Sequence, residues 1–527
     1  MKVLLIPLLT AKLRSARKIL VCALALAYGL PCLAESATPD SSSERPNILF
    51  ILIDDMGWKD VAYAGSTYYQ TPHIDGLAED GMRFKNAYSP APVCTPSRSA
   101  IFSGKNPART KLTTPFRGPS GPDDRLHERS KYRGGRDQFF EGRHRRVLPS
   151  DEVTFAQALA EGGYSTGFFG KWHIGECPGY YPDERGFQVA KGYRLQQMGS
   201  RSHWMKQFAP NAANLDDADQ DAYVAEVLTD ECVRFITDRR DGPWLAVLSH
   251  YLLHSPVEPK PDKLARYRGI PTTDQNNPGY AAMVESVDDS VGKLLATLEQ
   301  LDLEENTLVI FTSDNGGFTR FTSNYPLMGG KSFPFEAGMK VPFIAKWPGR
   351  IEAGISSDLR IIGTDLYPTM IAAAGLPLRP GQHVDARNLL PLLTRSGPVE
   401  KDPLIFHYPH YTHATGPFSA MIEDDWKLIR FYNDAHGAHL LYHLGEDPEE
   451  QHDLSARHPD RCERMDRRLG ALLREMDAEM PSPNPRFKPK ARGAQKNRKF
   501  TLNFALRERA RLEKRIKNSQ KENEPTK

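Results

Sequence analysis

The stretch Asn47-Ile48-Leu49-Phe50-Ile51-Leu52-Ile53, closed by Asp54-Asp55, decides the fold. Its apolar run shows no polar alternation, the mark of a strand buried on both faces of a parallel sheet. The run stops abruptly at two carboxylates, followed by Gly57. In open α/β sheets ligands bind at the carboxyl ends of strands. Adjacent carboxylates at such a place are costly unless a cation or strong donors neutralise them.

Working outward, the same grammar recurs. Tyr164 to Phe169 reads as a strand and leads into Gly170-Lys171-Trp172-His173. Trp244 to Leu248 trails into His250 and His254-Ser255-Pro256, and Thr307 to Thr312 runs into Ser313-Asp314-Asn315-Gly316-Gly317. Helical stretches lie between them. Thr71-Pro72 opens one through Ile74, Leu77 and Ala78. Ser150-Asp151-Glu152 opens another, with carboxylates in its first turn and an end at Gly162-Gly163. From Tyr280 to Leu298 the apolar residues fall on one helical face. Strands alternating with helices predict an α/β fold, a mostly parallel sheet with helices on both faces.

Cys94-Thr95-Pro96-Ser97-Arg98 reads as a loop feeding a helix, with Thr95 as N-cap, Pro96 as first helical residue and Gly104 at the end. Cys94 then sits just ahead of a helix N-terminus, which favours negative charge. On spacing alone, a small buried hydrophobe and a nucleophile that meets an anion both remain open.

The 527 residues suffice for one large and one smaller domain. With 39% hydrophobic and 26% charged residues, the composition is that of a globular protein. Lys2, Lys12, Arg14, Arg17 and Lys18 precede an apolar run from Ile19 to Ala34, so residues 1–34 read as an export signal and the protein as periplasmic or secreted. Residues 35–45 form a polar lead-in. Cys94, Cys177, Cys232 and Cys462 remain beyond the leader, too few for a disulfide scaffold. Phe116 to Arg146 reads as a long basic loop. After Pro377 the texture changes to short strands at Phe406–Tyr408, Ala420–Ile422, Trp426–Tyr432 and Leu440–Tyr442, with a helix over Arg461–Met476. The division is a catalytic domain over 46–395, an antiparallel α+β subdomain over 396–484 and a basic tail over 485–527. The tail carries fifteen Lys and Arg against four Glu, and is expected to be disordered.

The fuller signature, with Ser99-Ala100 and Gly104 behind it, resembles that of the sulfatase family, whose cysteine is oxidised to formylglycine by a separate maturation enzyme. Asn47 to Asp55, Gly170 to His173, Ser313 to Gly316 and Gly329-Gly330-Lys331 resemble further family blocks, in family order. The resemblance implies an alkaline-phosphatase-like α/β fold with a smaller C-terminal domain. It implies that Asp54, Asp55, Asp314 and Asn315 hold one divalent cation, with formylglycine from Cys94 completing the shell. These hard oxygen donors suit Ca²⁺ better than Mg²⁺, because calcium tolerates irregular oxygen sets.

By the same resemblance Arg98, Lys171, His173, His254 and Lys331 line the pocket. One hydroxyl of hydrated formylglycine attacks sulfur, while His254, with Lys331 near the bridging oxygen, assists departure of the alcohol. His173 then takes the proton of the second hydroxyl, and sulfate is expelled. Arg98 positions the diol, and His250 is the rival of His254. A departure from the family is Glu336-Ala337-Gly338-Met339-Lys340-Val341-Pro342, where Glu-Gly-Gly-x-Arg-Val-Pro is usual; it is expected to be structural.

The expected substrate is an O-sulfated carbohydrate, with the 116–146 loop as a basic rim for it or as a solvated insertion. No nucleic-acid partner or membrane-integral segment is expected, and oligomeric state is not legible. Two other functions stay open: a phosphodiester or phosphonate monoester hydrolase of the same superfamily, and a non-catalytic sulfated-glycan-binding protein.

Overall fold

Every residue from Ile48 to Ile53 is fully buried, and successive side chains enter opposite cores. This is the computed structural model of the chain, which describes residues 45–115, 125–128, 137–193, 202–208, 213–215, 217–432, 439–488 and 498–522. The export-signal reading lies outside these residues, as do 116–124 and 129–136 of the basic loop.

Strand β1 (Asn47–Ile53) sits inside an eight-stranded sheet with β2 (Met82–Phe84), β3 (Ser165–Gly170), β4 (Val189–Lys191), β5 (Trp244–Ser249), β6 (Thr307–Ser313), β7 (Phe343–Lys346) and β8 (Ser356–Ser357). The order is β8-β2-β7-β6-β1-β5-β3-β4, and every neighbouring pair is parallel except those made by β7. One face packs on α4 (Val224–Asp238) and α5 (Pro278–Gln300) through Leu49, Ile51, Cys232, Val284 and Leu294. The other packs on α2 (Cys94–Ser103), α3 (Phe155–Glu161) and α6 (Leu366–Ala373), where Phe102 stacks on Phe155 with centroids 4.7 Å apart. Helix α1 (Pro72–Glu79) joins the first face. The expected mostly parallel α/β sheet is present. The strand ends of β6, β1, β5 and β3 lie side by side, which gathers Asp314, Asp54, His250 and Lys171 at one edge.

Two helix starts differ from expectation. Helix α2 begins at Cys94 with extended Val93 as its N-cap, not at Pro96 with Thr95 as cap. The Ser97 hydroxyl accepts from the Ala91 N–H (3.0 Å) and donates to its carbonyl (2.9 Å), folding the approach back over the first turn. Helix α3 starts at Phe155 because Thr154 and Gln157 form a reciprocal capping box, which outweighs the carboxylates at Asp151 and Glu152.

The small antiparallel sheet is β9 (Leu404–Tyr408), β10 (Phe418–Glu423), β11 (Trp426–Phe431) and β12 (His439–His443) in sequential order. One face meets Tyr88, Val93, Phe333 and Phe335 beside the strand-end edge, and the other is covered by α7 (Pro459–Glu475) through Met465, Leu469 and Leu473.

The tail corrects the expectation of disorder: Arg498–Glu522 is one helix, α8. Its Thr501 and Ala505 are fully buried, and Phe504 stacks on Phe333. Charge dominates its composition, but its few apolar residues find an aromatic partner. The basic loop is also tied down in its described part. Phe139–Phe140 pairs with Ser482–Pro483, and buried Glu141 accepts the Tyr411 N–H at 2.9 Å. No helix among the described residues is long and apolar enough to cross a membrane. Cys94, Cys177, Cys232 and Cys462 are all buried, and no disulfide forms among the described residues.

Inside the small sheet, burial pushes His407 down to about 4 from 6.5. The unfolded chain therefore takes up this proton first as pH falls. Stability from His407 is complete above pH 6.5 and is lost as pH falls through about 4. Urea midpoints of the native chain are expected to fall across that interval, and those of His407→Gln to fall less; equal slopes would refute it.

Candidate active site

The carboxylates after β1 are held by their own backbone. Asp54 N–H donates to the Leu252 carbonyl (3.0 Å), and Asp55 adopts a left-handed conformation (φ 66°) that lets its N–H donate to Asp314 Oδ1 (3.2 Å). The turn is braced from below by Asp60, fully buried, which accepts from the Gly57 N–H (2.7 Å), Tyr280 Oη (2.6 Å) and Thr322 Oγ1 (2.5 Å). Sequence reading missed this brace. Tyr280 registers there only as part of an apolar helix face, and a phenol carries no separate signal of its polar tip.

Asp54, Cys94 and Asp314 each present a ligand atom within 4.8 Å of the others. Arg98, fully buried, ties Cys94's helix to this group: its Nε donates to Asp314 Oδ2 (2.7 Å), and its Nη1 to Ser249 Oγ and the Lys171 carbonyl (both 2.6 Å). Ser249, at the end of β5, is a further residue that motif reading did not single out. Lys171 Nζ donates to Asp54 Oδ2 (2.5 Å), and Lys331 Nζ to both oxygens of Asp55 (2.5 and 2.7 Å). Asn315 Nδ2 also donates to Asp55 Oδ1 (2.8 Å). Asp55 thus stands beside the tightest group with its carboxylate turned to Lys331.

Glycines make these approaches possible. A Cβ on Gly170 (φ 113°) would lie 2.0 Å from the Ser249 carbonyl, and one on Gly316 would lie 1.9 Å from the Ala337 carbonyl. A side chain at either position would push Lys171 or Asn315 out of the cluster.

The electrostatics follow from burial and pairing. Burial pushes the Asp54 carboxyl up to about 7, against the pull of Lys171. Burial would also raise Asp55, but Lys331, with His254 and Lys171 beyond it, holds it below the usual carboxylate range. Burial raises the Cys94 thiol, more than Lys171 and Lys331 lower it. A protonated thiol is a poor nucleophile. His254 is pushed well down, by burial first and then by Lys331, with Asp55 opposing, so the ring is neutral. Its Nδ1 lies 2.8 Å from the Ser255 carbonyl. His250, the rival, is fully buried, and neither ring nitrogen has a hydrogen-bond partner among the described residues. His173 follows Lys171 by two residues on left-handed backbone (φ 63°) and is only partly buried.

The residues fit a hard divalent cation. Asp54 Oδ1 and Asn315 Oδ1 are buried with no hydrogen-bond partner among the described residues. The cluster's other oxygens already accept from Lys171, Lys331, Arg98 or the Asp55 N–H. Unpaired carboxylate and amide oxygens in a low-dielectric pocket are what a calcium or magnesium ion takes. Hard oxygens at a sheet edge, positive charge beside them and a buried cysteine at a helix start suit a hydrolase centre for an anionic ester.

Comparison with known proteins gives that class its family. The sulfatase family model matches residues 46–376, and the model described as N-sulphoglucosamine sulphohydrolase, C-terminal, matches residues 328–478. N-acetylgalactosamine-6-sulfatase of Homo sapiens is 29% identical, across 83% of this chain and 87% of that protein. Arylsulfatase A of Homo sapiens is 30% identical, across 78% and 83%. The crystal structure of Ps i-CgsB superposes with a TM-score of 0.67 at 26% identity, covering 90% of this chain and 100% of that one. The chain belongs to the sulfatase family. It is a sulfuric ester hydrolase with the alkaline-phosphatase-like fold of that family.

Proposed function

We propose that the chain removes O-sulfate groups from a sulfated carbohydrate outside the cytoplasm, using a formylglycine made from Cys94 and a bound Ca²⁺. The observation that carries this reading is the close meeting of Asp54, Cys94 and Asp314 with Lys171 and Lys331 packed around them. The carbohydrate part draws on relatives: one is named N-acetylgalactosamine-6-sulfatase, and Ps i-CgsB has been crystallised in complex with k-i-k-neocarrahexaose. The charged-then-apolar leader over residues 2–34 supports export. Residues 46–395 would carry the chemistry and 396–484 support it from the side.

Asp54, Asp55, Asp314 and Asn315 would hold the cation, which supplies Lewis-acid stabilisation of charge on the sulfuryl oxygens. Formylglycine supplies, once hydrated, a paired hydroxyl nucleophile that a thiol or serine lacks. The remaining work belongs to the chain's own side chains. Lys171 and Lys331 place two ammonium charges toward the anion and exclude water from it. Arg98 locks the Cys94 helix to Asp314, so the nucleophile's position is set by a buried pair. His254 and Lys331, neighbours of Asp55 by their mutual electrostatic influence, assist departure of the alcohol, the neutral ring by hydrogen bonding at the bridging oxygen and the Lys331 ammonium by its charge. His173 takes a proton as sulfate leaves.

The test compares matured protein on matched aryl sulfate and aryl phosphodiester substrates, then on defined sulfated oligosaccharides. Sulfate ester turnover is expected to exceed phosphodiester turnover, to fall on chelation and to return with calcium. Preference for the phosphodiester would replace this reading with the phosphohydrolase one. Absence of turnover with intact glycan binding would leave a binding protein.

A further inference from the structure

Helix α8 lies beyond both segments that the family models match, yet it is packed against the loop that carries Lys331. We propose that α8 and this loop form a second subsite, which binds the sugar units and sulfates of the chain next to the ester under attack. The proposal rests on the carbohydrate reading above and adds where the rest of the polymer lies.

The contact is built rather than incidental. Phe504 stacks on Phe333, two residues past Lys331, with centroids 5.6 Å apart and planes at 14°. Thr501 Oγ1 donates to Thr415 Oγ1 at 3.1 Å, and Arg509 pairs with Glu449 and lies 5.5 Å above the Tyr325 ring. On the other side of the lysine, the Lys331 N–H donates to the Gly317 carbonyl at 3.0 Å, and Phe318 comes next. His413 bridges the two sides, edge-on to Phe318 at 5.5 Å and to Phe504 at 6.4 Å. Phe318 and Phe504 are partly exposed and His413 is exposed, so an aromatic ledge meets solvent beside a catalytic lysine.

The ledge continues along the helix as charge. Phe500 and Phe504 stack on each other at 6.1 Å, and helical spacing puts Arg507 and Arg511 on the same face as these rings. Both arginines are exposed. From Phe504 to Arg511 the helix rises about 10 Å, a distance suited to more than one sugar unit. A pyranose has an apolar C–H face that packs on aromatic rings, and its sulfates pair with guanidinium groups. A neutral glycan would not use the arginines, and a flexible polyanion without sugar rings would not use Phe504.

The experiment uses full-length matured protein, with equilibrium binding and steady-state kinetics on chondroitin sulfate and carrageenan hexasaccharides, their desulfated counterparts, and a small aryl sulfate. Phe504→Ala is expected to raise Kd and KM for one of the sulfated hexasaccharides by about five- to tenfold. The double charge reversal Arg507→Glu, Arg511→Glu is expected to do the same by about tenfold, and its solvent-facing positions keep folding out of the question. Both variants are expected to keep aryl sulfate kcat/KM within about twofold. Unchanged hexasaccharide affinity in the charge-reversed variant would overturn the subsite. Equal losses on aryl sulfate and hexasaccharide would also overturn it, showing that α8 only braces the Lys331 loop. Failure of the native protein to turn over any sulfate ester would strike the function proposal alone, since binding to the ledge is read separately.

Discussion

Cys94→Ala is expected to lower kcat/KM on an aryl sulfate by about four orders of magnitude or more, with the folded state unperturbed. The side chain is small and buried at the first turn of α2, and among the described residues it makes none of the hydrogen bonds that hold that helix. Those belong to Ser97 and Arg98. Loss of the atom therefore removes the nucleophile and leaves its scaffold. Cys94→Ser is expected to be nearly as inactive, because a single hydroxyl cannot expel sulfate the way a geminal pair does. Peptide mass at position 94 supplies the independent readout: the native protein from a maturation-competent host is expected to carry the aldehyde. A thiol in fully active protein, or more than a few per cent of activity in the alanine variant, would remove Cys94 from the chemistry.

The second large effect is structural. Lys427 is completely buried, with Nζ 3.0 Å from Glu336 Oε1 and 2.8 Å from Glu450 Oε1. Burial pushes Glu450 up to about 7, while for Glu336 the Lys427 and Lys340 charges outweigh burial and keep it low. One ammonium thus pairs with two buried carboxyls, and Glu450 Oε2 also accepts the Glu336 N–H. Lys427→Ala strands both, and is expected to cost about 3–5 kcal/mol in unfolding free energy. Most of that loss is expected to return in Lys427→Met combined with Glu336→Gln and Glu450→Gln, since the penalty lies in the orphaned charges. Denaturant unfolding of the three proteins decides it; a loss below about 1 kcal/mol for the alanine variant would mean that water reaches the site. Because Glu336 follows the Lys331 loop, a smaller fall in kcat is expected alongside.

The Glu336 to Pro342 segment was expected to be structural, and this network gives it a physical content that residue types alone do not. What could be read from the chain is what burial imposes locally. An apolar run without alternation has to be a central strand, and a polar cluster after it has to lie at the strand's end. So β1, β3, β5 and β6 and the residues following them are legible, together with the sheet they form. Partnerships across long sequence distances are not. Nothing near Asp60 points to Tyr280, and nothing near Arg98 points to Ser249. Helix α8 is not legible for a related reason: its Phe504 packs on Phe333, far upstream, and its composition is dominated by charge. Helix starts were displaced where a side chain reached back, as Ser97 and Thr154 do.

Val93, the N-cap immediately before Cys94, shares its hydrophobic cluster with Phe406, Phe418 and Tyr442 of the small sheet. That lid on the nucleophile's helix is encoded about three hundred residues downstream. At ribosomal speeds of 5–20 residues per second, roughly 15–60 s pass between the emergence of the two. Under the formylglycine proposal, an oxidising enzyme that reaches this thiol would compete with closure of the fold on that clock, and slower translation of the intervening stretch is expected to favour complete conversion.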